Sequence, residues 1–168
     1  IATMIAGSPR EGHLALVVGD SAGHLGRSAL LWEVFNREDG DAPPVDLEAE
    51  TRNAAFIRDN RAWINACTDL SDGGLAMAAF ELAVAGEVGV ALDAGDCATL
   101  FGEDQGRYLI ACSFDKAEAL MVAAGQAGVT LATVGRFASD QVRLGSSAAP
   151  LAELAAHWRA AFPTMMAG

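Results

Sequence analysis

Basic residues are scarce in this sequence. Only 11 lysines and arginines stand against 22 aspartates and glutamates in 168 residues, a formal net charge of −11. That balance disfavours a nucleic-acid backbone or an anionic membrane surface as the natural partner, because both repel a strongly negative chain. A phosphate ligand would need its positive counterparts from single arginines, backbone donors, metal ions or another polypeptide. Cysteine is also scarce. Cys67, Cys97 and Cys112 lie far apart without paired spacing, which argues against a disulfide framework or a zinc site and reads as buried free thiols in a reducing compartment. No apolar run is long enough to span a bilayer and no basic-then-apolar leader opens the chain, so the expected location is the cytoplasm. A complete catalytic set is missing too. His13, His24 and His157 share no metal-ligand spacing, and neither a Gly-x-Ser-x-Gly elbow nor a phosphate-loop motif occurs. There is no internal repeat or low-complexity segment. The start at Ile1, without an initiator methionine and with no clear fold signal in the first dozen residues, suggests a fragment or an excised domain.

What is present is a globular composition, 52% hydrophobic and 20% charged, of a length that suits a single domain over residues 1–168. Its organising stretch is Ala66 to Leu75, where a short apolar run meets Asp69, Ser71, Asp72 and the pair Gly73-Gly74, followed by an almost wholly apolar segment to Gly86. This reads as strand, tight turn and helix start, with Ser71 or Asp72 as the cap. The glycines leave backbone N–H donors open to an anion, whereas the two aspartates oppose an unshielded phosphate. Spacing alone favours a capped helix start under a sheet over a ligand site. It also permits Asp69 and Asp72, three apart, to share a magnesium ion, although a cap and a turn carboxylate is the favoured reading. A helix apolar on nearly every side must be covered on nearly every side.

Around this unit the chain alternates. His13 to Gly19 reads as a buried strand, and Gly23-His24-Leu25-Gly26-Arg27-Ser28 opens a helix through Phe35, with Arg27 and Ser28 available to an anion or simply facing water. After the polar loop at residues 36–44, Asp46 caps a helix with Glu48 and Glu50 in its first turn and one apolar stripe of Phe56, Ile57, Trp63 and Ile64. Val88 to Asp93 is the next strand and completes a βαβ-like unit. Glu103, Asp104 and Gln105 then lie between Gly102 and Gly106, just before the strand Tyr108 to Cys112. Such a loop presents polar groups to a ligand or is an ordinary acidic turn. Asp115 and Glu118 open a helix ending near Gly128, with Ala117, Leu120, Ala124 and Ala127 inward. Val129 to Phe137 and Gln141 to Leu144 read as a hairpin about Ala138-Ser139-Asp140, and a closing helix runs from Leu151 to Phe162 after Pro150. The expected fold is a mixed α/β layered domain with helices packed on a central mixed sheet.

CTDLSDGGLAMAAFELAVAGEVGV resembles the C-terminal region of phosphoribosylformylglycinamidine synthase, a member of the aminoimidazole ribonucleotide synthetase superfamily. GHLGRS with Leu31-Trp32-Glu33, the loop Pro43-Pro44-Val45-Asp46-Leu47 and LFGEDQGRYLI fall in the same order as in that family, so the resemblance runs from about Gly12 to the end. Thr68 departs from the histidine common in relatives, and Arg27 and Ala29 sit where relatives often differ. The resemblance implies an ATP- and magnesium-dependent ligase in purine biosynthesis. ATP phosphorylates the amide oxygen of formylglycinamide ribonucleotide, and glutamine-derived ammonia displaces the phosphate to give the amidine. It places this chain as the C-terminal domain of the enzyme's second half, a PurM-like C-terminal fold. The catalytic histidine, the ATP-contacting lysine and most magnesium ligands then lie in upstream domains, and no catalytic, metal or cofactor residue is assigned to this chain. Glu103, Asp104 and Gln105 are similar to a substrate-contacting turn of the first half, and Ser71, Asp72, Gly73 and Gly74 would face the same cleft. The ending Met165-Met166-Ala167-Gly168 looks like the small form, which works with a separate glutaminase subunit and a small bridging subunit. Selenophosphate synthetase, thiamine-monophosphate kinase and hydrogenase-maturation relatives share the domain type, but GHLGRS together with LFGEDQGRY tells against them. A non-catalytic assembly or nucleotide-binding module is the alternative of a different class.

Overall fold

The computed structural model describes residues 7–93 and 96–167. The first six residues of the opening dozen therefore lie outside the described residues. One seven-stranded sheet is sandwiched between helices on both faces, and alternation along its strands explains how. In β1 (Leu14–Val18) and β4 (Tyr108–Cys112), Ala15, Val17, Leu109 and Ala111 enter one core, whereas Leu16, Val18, Ile110 and Cys112 enter the other. A strand covered on both faces has no polar side to alternate with, hence the unbroken apolar runs. The first core is completed by α3 (Gly74–Gly86), β3 (Val90–Leu92), Phe137, Val142 and Leu151. The second is completed by α2 (Leu47–Asp59) and α5 (Phe114–Ala127) through Phe56, Ile57, Ala117, Leu120 and Ala124.

The strand order is β2-β4-β1-β5-β3-β6-β7, with β2 at Ala66–Asp69, β5 at Leu131–Phe137, β6 at Gln141–Leu144 and β7 at Ser147–Pro150. All neighbours are antiparallel except the parallel pair β3–β6. The mixed sheet expected from the sequence is present. β2, α3 and β3 form the expected crossover, but β4, β1 and β5 lie between the two strands.

Several expectations are corrected. β5 and β6 do not form a hairpin, because β3 lies between them. The Ala138–Asp140 connection straddles the start of β3. Ala138 donates to the Gly89 carbonyl at 2.9 Å and Gly89 donates to Ser139 at 2.8 Å. A Cβ on Gly89 would come within 2.3 Å of the Gln141 carbonyl, so a glycine lets the chain cross there. The α2 stripe ends early. The helix stops at Asp59, and Trp63 sits at the surface in a 3₁₀ turn while Ile64 is buried. Asp46 does cap α2, accepting from Glu48 and Ala49 at 3.0 Å each. Ser113, not Asp115, is the N-cap of α5, and Ala127 is exposed. A short helix, α4 (Cys97–Phe101), and the strand β7 had no counterpart in the sequence reading. The closing helix α6 runs Leu151–Ala167, past Pro163, and packs onto α3 by an edge-to-face contact of Trp158 with Phe80, centroids 6.0 Å apart. α3 itself is buried at eight of its thirteen positions, as its all-round apolar sequence demands.

Phe137 is fully buried where the β5 and β3 ends meet, whereas Phe114 is 78% exposed. Phe137→Ala is expected to lower unfolding free energy by about 3–5 kcal/mol, and Phe114→Ala to leave it nearly unchanged, in urea titrations followed by circular dichroism.

Candidate functional site

The C-terminal ends of β1 and β2 and the start of β4 lie side by side, since Tyr108 pairs with both Val18 and Asp69. Three loops therefore gather at one end of the sheet: residues 19–28, 69–74 and 100–107. At the second of these, Gly73 (φ 79°) and Gly74 (φ 60°) are both left-handed. A Cβ on Gly73 would meet Met77 Cγ at 2.3 Å, and one on Gly74 would meet the Gly102 carbonyl at 2.6 Å. Conformation and space both call for glycine here.

Neither Ser71 nor Asp72 caps α3. The N-cap is Gly73, which has no side-chain oxygen to offer, and both polar residues point into solvent. The cap arrives from elsewhere in the chain. Glu103 Oε1 accepts from the Gly73 N–H at 2.8 Å and from the Ala29 N–H, also at 2.8 Å, where α1 (Ala29–Phe35) begins. The anion at these open donors is thus a carboxylate of the same chain. Its neighbour Asp104 is buried and accepts from Gly23 at 3.0 Å and His24 at 3.3 Å. The Glu103 N–H donates to the His24 carbonyl at 2.8 Å, closing the first loop onto the third.

Arg107, only 2% exposed, completes the junction. It donates to Ser21 Oγ at 2.9 Å, to the Asp104 carbonyl at 3.3 Å and to the Gly102 carbonyl, and its Nη2 lies 3.5 Å from Asp104 Oδ2. Burial pulls its guanidinium below the usual arginine value, and the Asp104 charge opposes that pull. Its own carbonyl accepts from Leu70 at 3.0 Å, tying in the 69–74 loop. Sequence reasoning assigned Arg107 no role. The available signal was an arginine set directly before a wholly apolar strand, where a buried charge must find partners.

Of the seven candidate residues, Glu103, Asp104, Gly73 and Gly74 are brought together as this internal clamp, and Ser71, Asp72 and Gln105 are exposed around it. Of Arg27 and Ser28, considered from sequence as open to an anion or to water, Arg27 is exposed and Ser28 is not. Ser28 is buried and caps α1 by accepting from Leu31, while Arg27 Nε donates to the Gly40 carbonyl at 3.2 Å. Among the described residues no three His, Cys, Asp or Glu side chains converge to hold a metal ion. The thiols correct one expectation. Cys112 is buried and Cys67 half-buried, but Cys97 is exposed at the start of α4. Burial pushes the Cys67 and Cys112 thiols up to about 11, with Asp69 and Asp115 respectively adding to the rise.

Two outcomes follow. Glu103→Ala leaves two helix-start N–H groups without their acceptor and is expected to cost about 1–3 kcal/mol in urea unfolding, with faster hydrogen exchange at the amides of residues 29 and 73. In native protein at pH 8, two units or more below the raised values, a disulfide reagent is expected to modify one thiol quickly, Cys97. The other two become equally reactive only in urea.

Residues 10–145 match the family model for AIR synthase related protein, C-terminal domain. The chain is 69% identical over 159 residues to phosphoribosylformylglycinamidine synthase subunit PurL of Jannaschia sp. (strain CCS1), which is 95% of this chain and 22% of that relative. It is 64% identical over 163 residues to the subunit of the same name from Ruegeria sp. (strain TM1040), covering 97% of this chain and 23% of the relative. The chain thus spans less than a quarter of the length of these relatives. Among solved structures, Thermotoga maritima PurL complexed with FGAR superposes with a TM-score of 0.73 at 20% identity, over 90% of this chain and 29% of that one, a likeness of fold. No helix among the described residues is long and apolar enough to cross a membrane. With the family model matched over most of its length, this chain belongs to the AIR synthase related proteins, as their C-terminal domain.

Proposed function

We propose that this chain is the C-terminal domain of the second half of a cytoplasmic phosphoribosylformylglycinamidine synthase, the ATP-dependent ligase that turns formylglycinamide ribonucleotide and ammonia into the amidine. The observation that carries this reading is its 69% identity, over 95% of its length, to a chain bearing that name. The domain's contribution is positional. Glu103, Asp104 and Arg107 hold three loops at one end of the sheet, leaving Ser71, Asp72 and Gln105 exposed at the rim, where a ligand held by upstream domains would meet them. ATP supplies the phosphoryl group that activates the amide oxygen. In this reading the residues that transfer it, and those that complete a magnesium site, belong to the rest of the polypeptide. A glutaminase subunit and a small bridging subunit would deliver the ammonia, a reading that the word "subunit" in the relatives' name supports.

The test uses the full-length polypeptide that carries this segment. It is expected to form the amidine from formylglycinamide ribonucleotide, ATP and ammonia, and the 168-residue chain alone to form none. Replacing both Asp72 and Gln105 by alanine is expected to lower kcat/KM roughly tenfold, the equivalent of one lost hydrogen bond of about 1.4 kcal/mol. Turnover by the isolated chain, or phosphorylation of thiamine monophosphate by the full-length protein, would overturn the assignment.

A further inference from the structure

Helix α1 belongs to neither core. Six of its seven residues are apolar, yet none is buried and none joins the clusters on either face of the sheet. Trp32 is 51% exposed, Val34 65% and Phe35 57%, and beyond the Pro43-Pro44 pair Val45 and Leu47 are as open. A helix this short does not persist in water on its own propensity, because nucleation costs more than two turns return. Its ends are nonetheless fully furnished. Ser28 and Glu103 satisfy the first turn, and the left-handed Asn36 N–H reaches back to the carbonyls of Leu31 and Trp32. The preceding loop is fixed as well, through Arg27 to Asp39 and His24 Nε2 to the Asp41 carbonyl. The chain thus holds a capped, rigidly mounted apolar helix whose inner residues Ala29, Leu30 and Leu31 are half-buried and whose Trp32, Val34 and Phe35 face outward.

The other exposed apolar side chains differ in kind. Phe114 and Val122 stand on α5, and Trp158 stands on α6. The body of each helix is already anchored in a core by Leu120 or by Leu151. α1 places none of its six apolar residues in either core, and half of them, Trp32, Val34 and Phe35, stay exposed.

We propose that the outer face of α1, together with Val45 and Leu47, is the seat of another segment of the same longer polypeptide, one that lays apolar side chains over Trp32 and Phe35. Two observations choose this occupant. The matched relatives are more than four times as long as this chain, so a covalently linked partner accompanies the domain wherever it occurs in them. A second copy of this chain would bring a further net charge of −11 against the first, which opposes self-association. The placement also ties the interface to the candidate site. Glu103 Oε1 bridges the start of α1 to the turn at Gly73, so a segment seated on α1 stands beside the exposed Ser71 and Asp72 and forms the opposite wall of that site. The inference takes from the functional reading only that a longer polypeptide exists.

Hydrogen exchange on the full-length polypeptide tests it. Amides of residues 31–36 are expected to exchange roughly 100-fold more slowly than in an unstructured peptide. In Trp32→Glu/Phe35→Glu that protection is expected to vanish, and a peptide outside the 168-residue segment to lose protection at the same time, while the amides of β1 and β4 stay protected. If the double variant unfolds β1 and β4 as well, the milder Phe35→Ala replaces it with the same expected pairing. Free exchange at residues 31–36 in the wild type overturns the proposal. So does a variant that loosens α1 without any change outside the segment, or protection that rises with protein concentration, which would make the occupant a second copy. Amidine formation is assayed on the same wild-type sample. Absent turnover with α1 protected sinks the assigned reaction and leaves the interface standing, and turnover with α1 unprotected does the reverse.

Discussion

One carboxylate oxygen, Oε1 of Glu103, accepts from N–H groups at two helix starts, Ala29, the first residue of α1, and Gly73, the N-cap of α3, 44 residues apart in sequence. Each of those N–H groups belongs to a helix start and carries part of the helix's positive end, so the pair would otherwise favour an external anion. With the oxygen in place, α1 and α3 acquire a common origin at one end of the sheet. Asp104 does the same for the loop after β1, through the Gly23 and His24 N–H groups, and Arg107 supplies the positive charge beneath. Removing one partner of a buried pair leaves an uncompensated charge and costs far more than the pair contributes. The three loops are therefore set by a few consecutive residues, Glu103 to Arg107, and the geometry of the candidate site depends on that short stretch remaining intact.

This arrangement explains how a chain with a large negative surplus can carry turns shaped for anions. The favourable donors are not idle. They are neutralised internally, by carboxylates that also fix the loops. Of what the three loops leave exposed at that end, Ser71, Asp72 and Gln105 are polar without being basic, and Arg27 carries a positive charge.

Much of this was legible in the sequence. The strands β1 and β4 announced themselves as unbroken apolar runs, and α3 as a helix needing cover all round. Asp46 stood as a cap where the Pro43-Pro44 pair ends a loop. Each of those features depends on residues within a few positions of one another. The features that were misread depend on distant ones. Nothing within residues 129–144 signals that β3 will insert between β5 and β6, since the deciding contacts come from Gly89, some fifty residues earlier. Likewise Ser71 and Asp72 look like caps by position, but the glycine that follows takes a left-handed conformation that places the cap elsewhere, and the oxygen that fills the role is thirty residues downstream. The acidic turn at Glu103 was visible as a stretch of interest, but its hydrogen bonds to the backbone N–H groups of Gly23, His24, Ala29 and Gly73 were not.

The same distinction bears on α1. A local reading of GHLGRS followed by an apolar run predicts a helix start and is correct, but it also presumes that an apolar helix has a core to enter. Here the caps and loop bonds that specify the helix come from within the chain, while its outer face, Trp32, Val34 and Phe35, is left uncovered by it. Rigid mounting without burial is costly for an isolated domain, because exposed Trp32 and Phe35 gain nothing from the order imposed on them. It becomes favourable once the mounted face is covered, since the ordering has already been met by Ser28, Glu103 and Asn36 and the whole burial gain goes to the association. On that argument the clamp at Glu103 serves two ends: it shapes the rim of the candidate site, and it holds ready the helix against which the rest of a longer polypeptide closes.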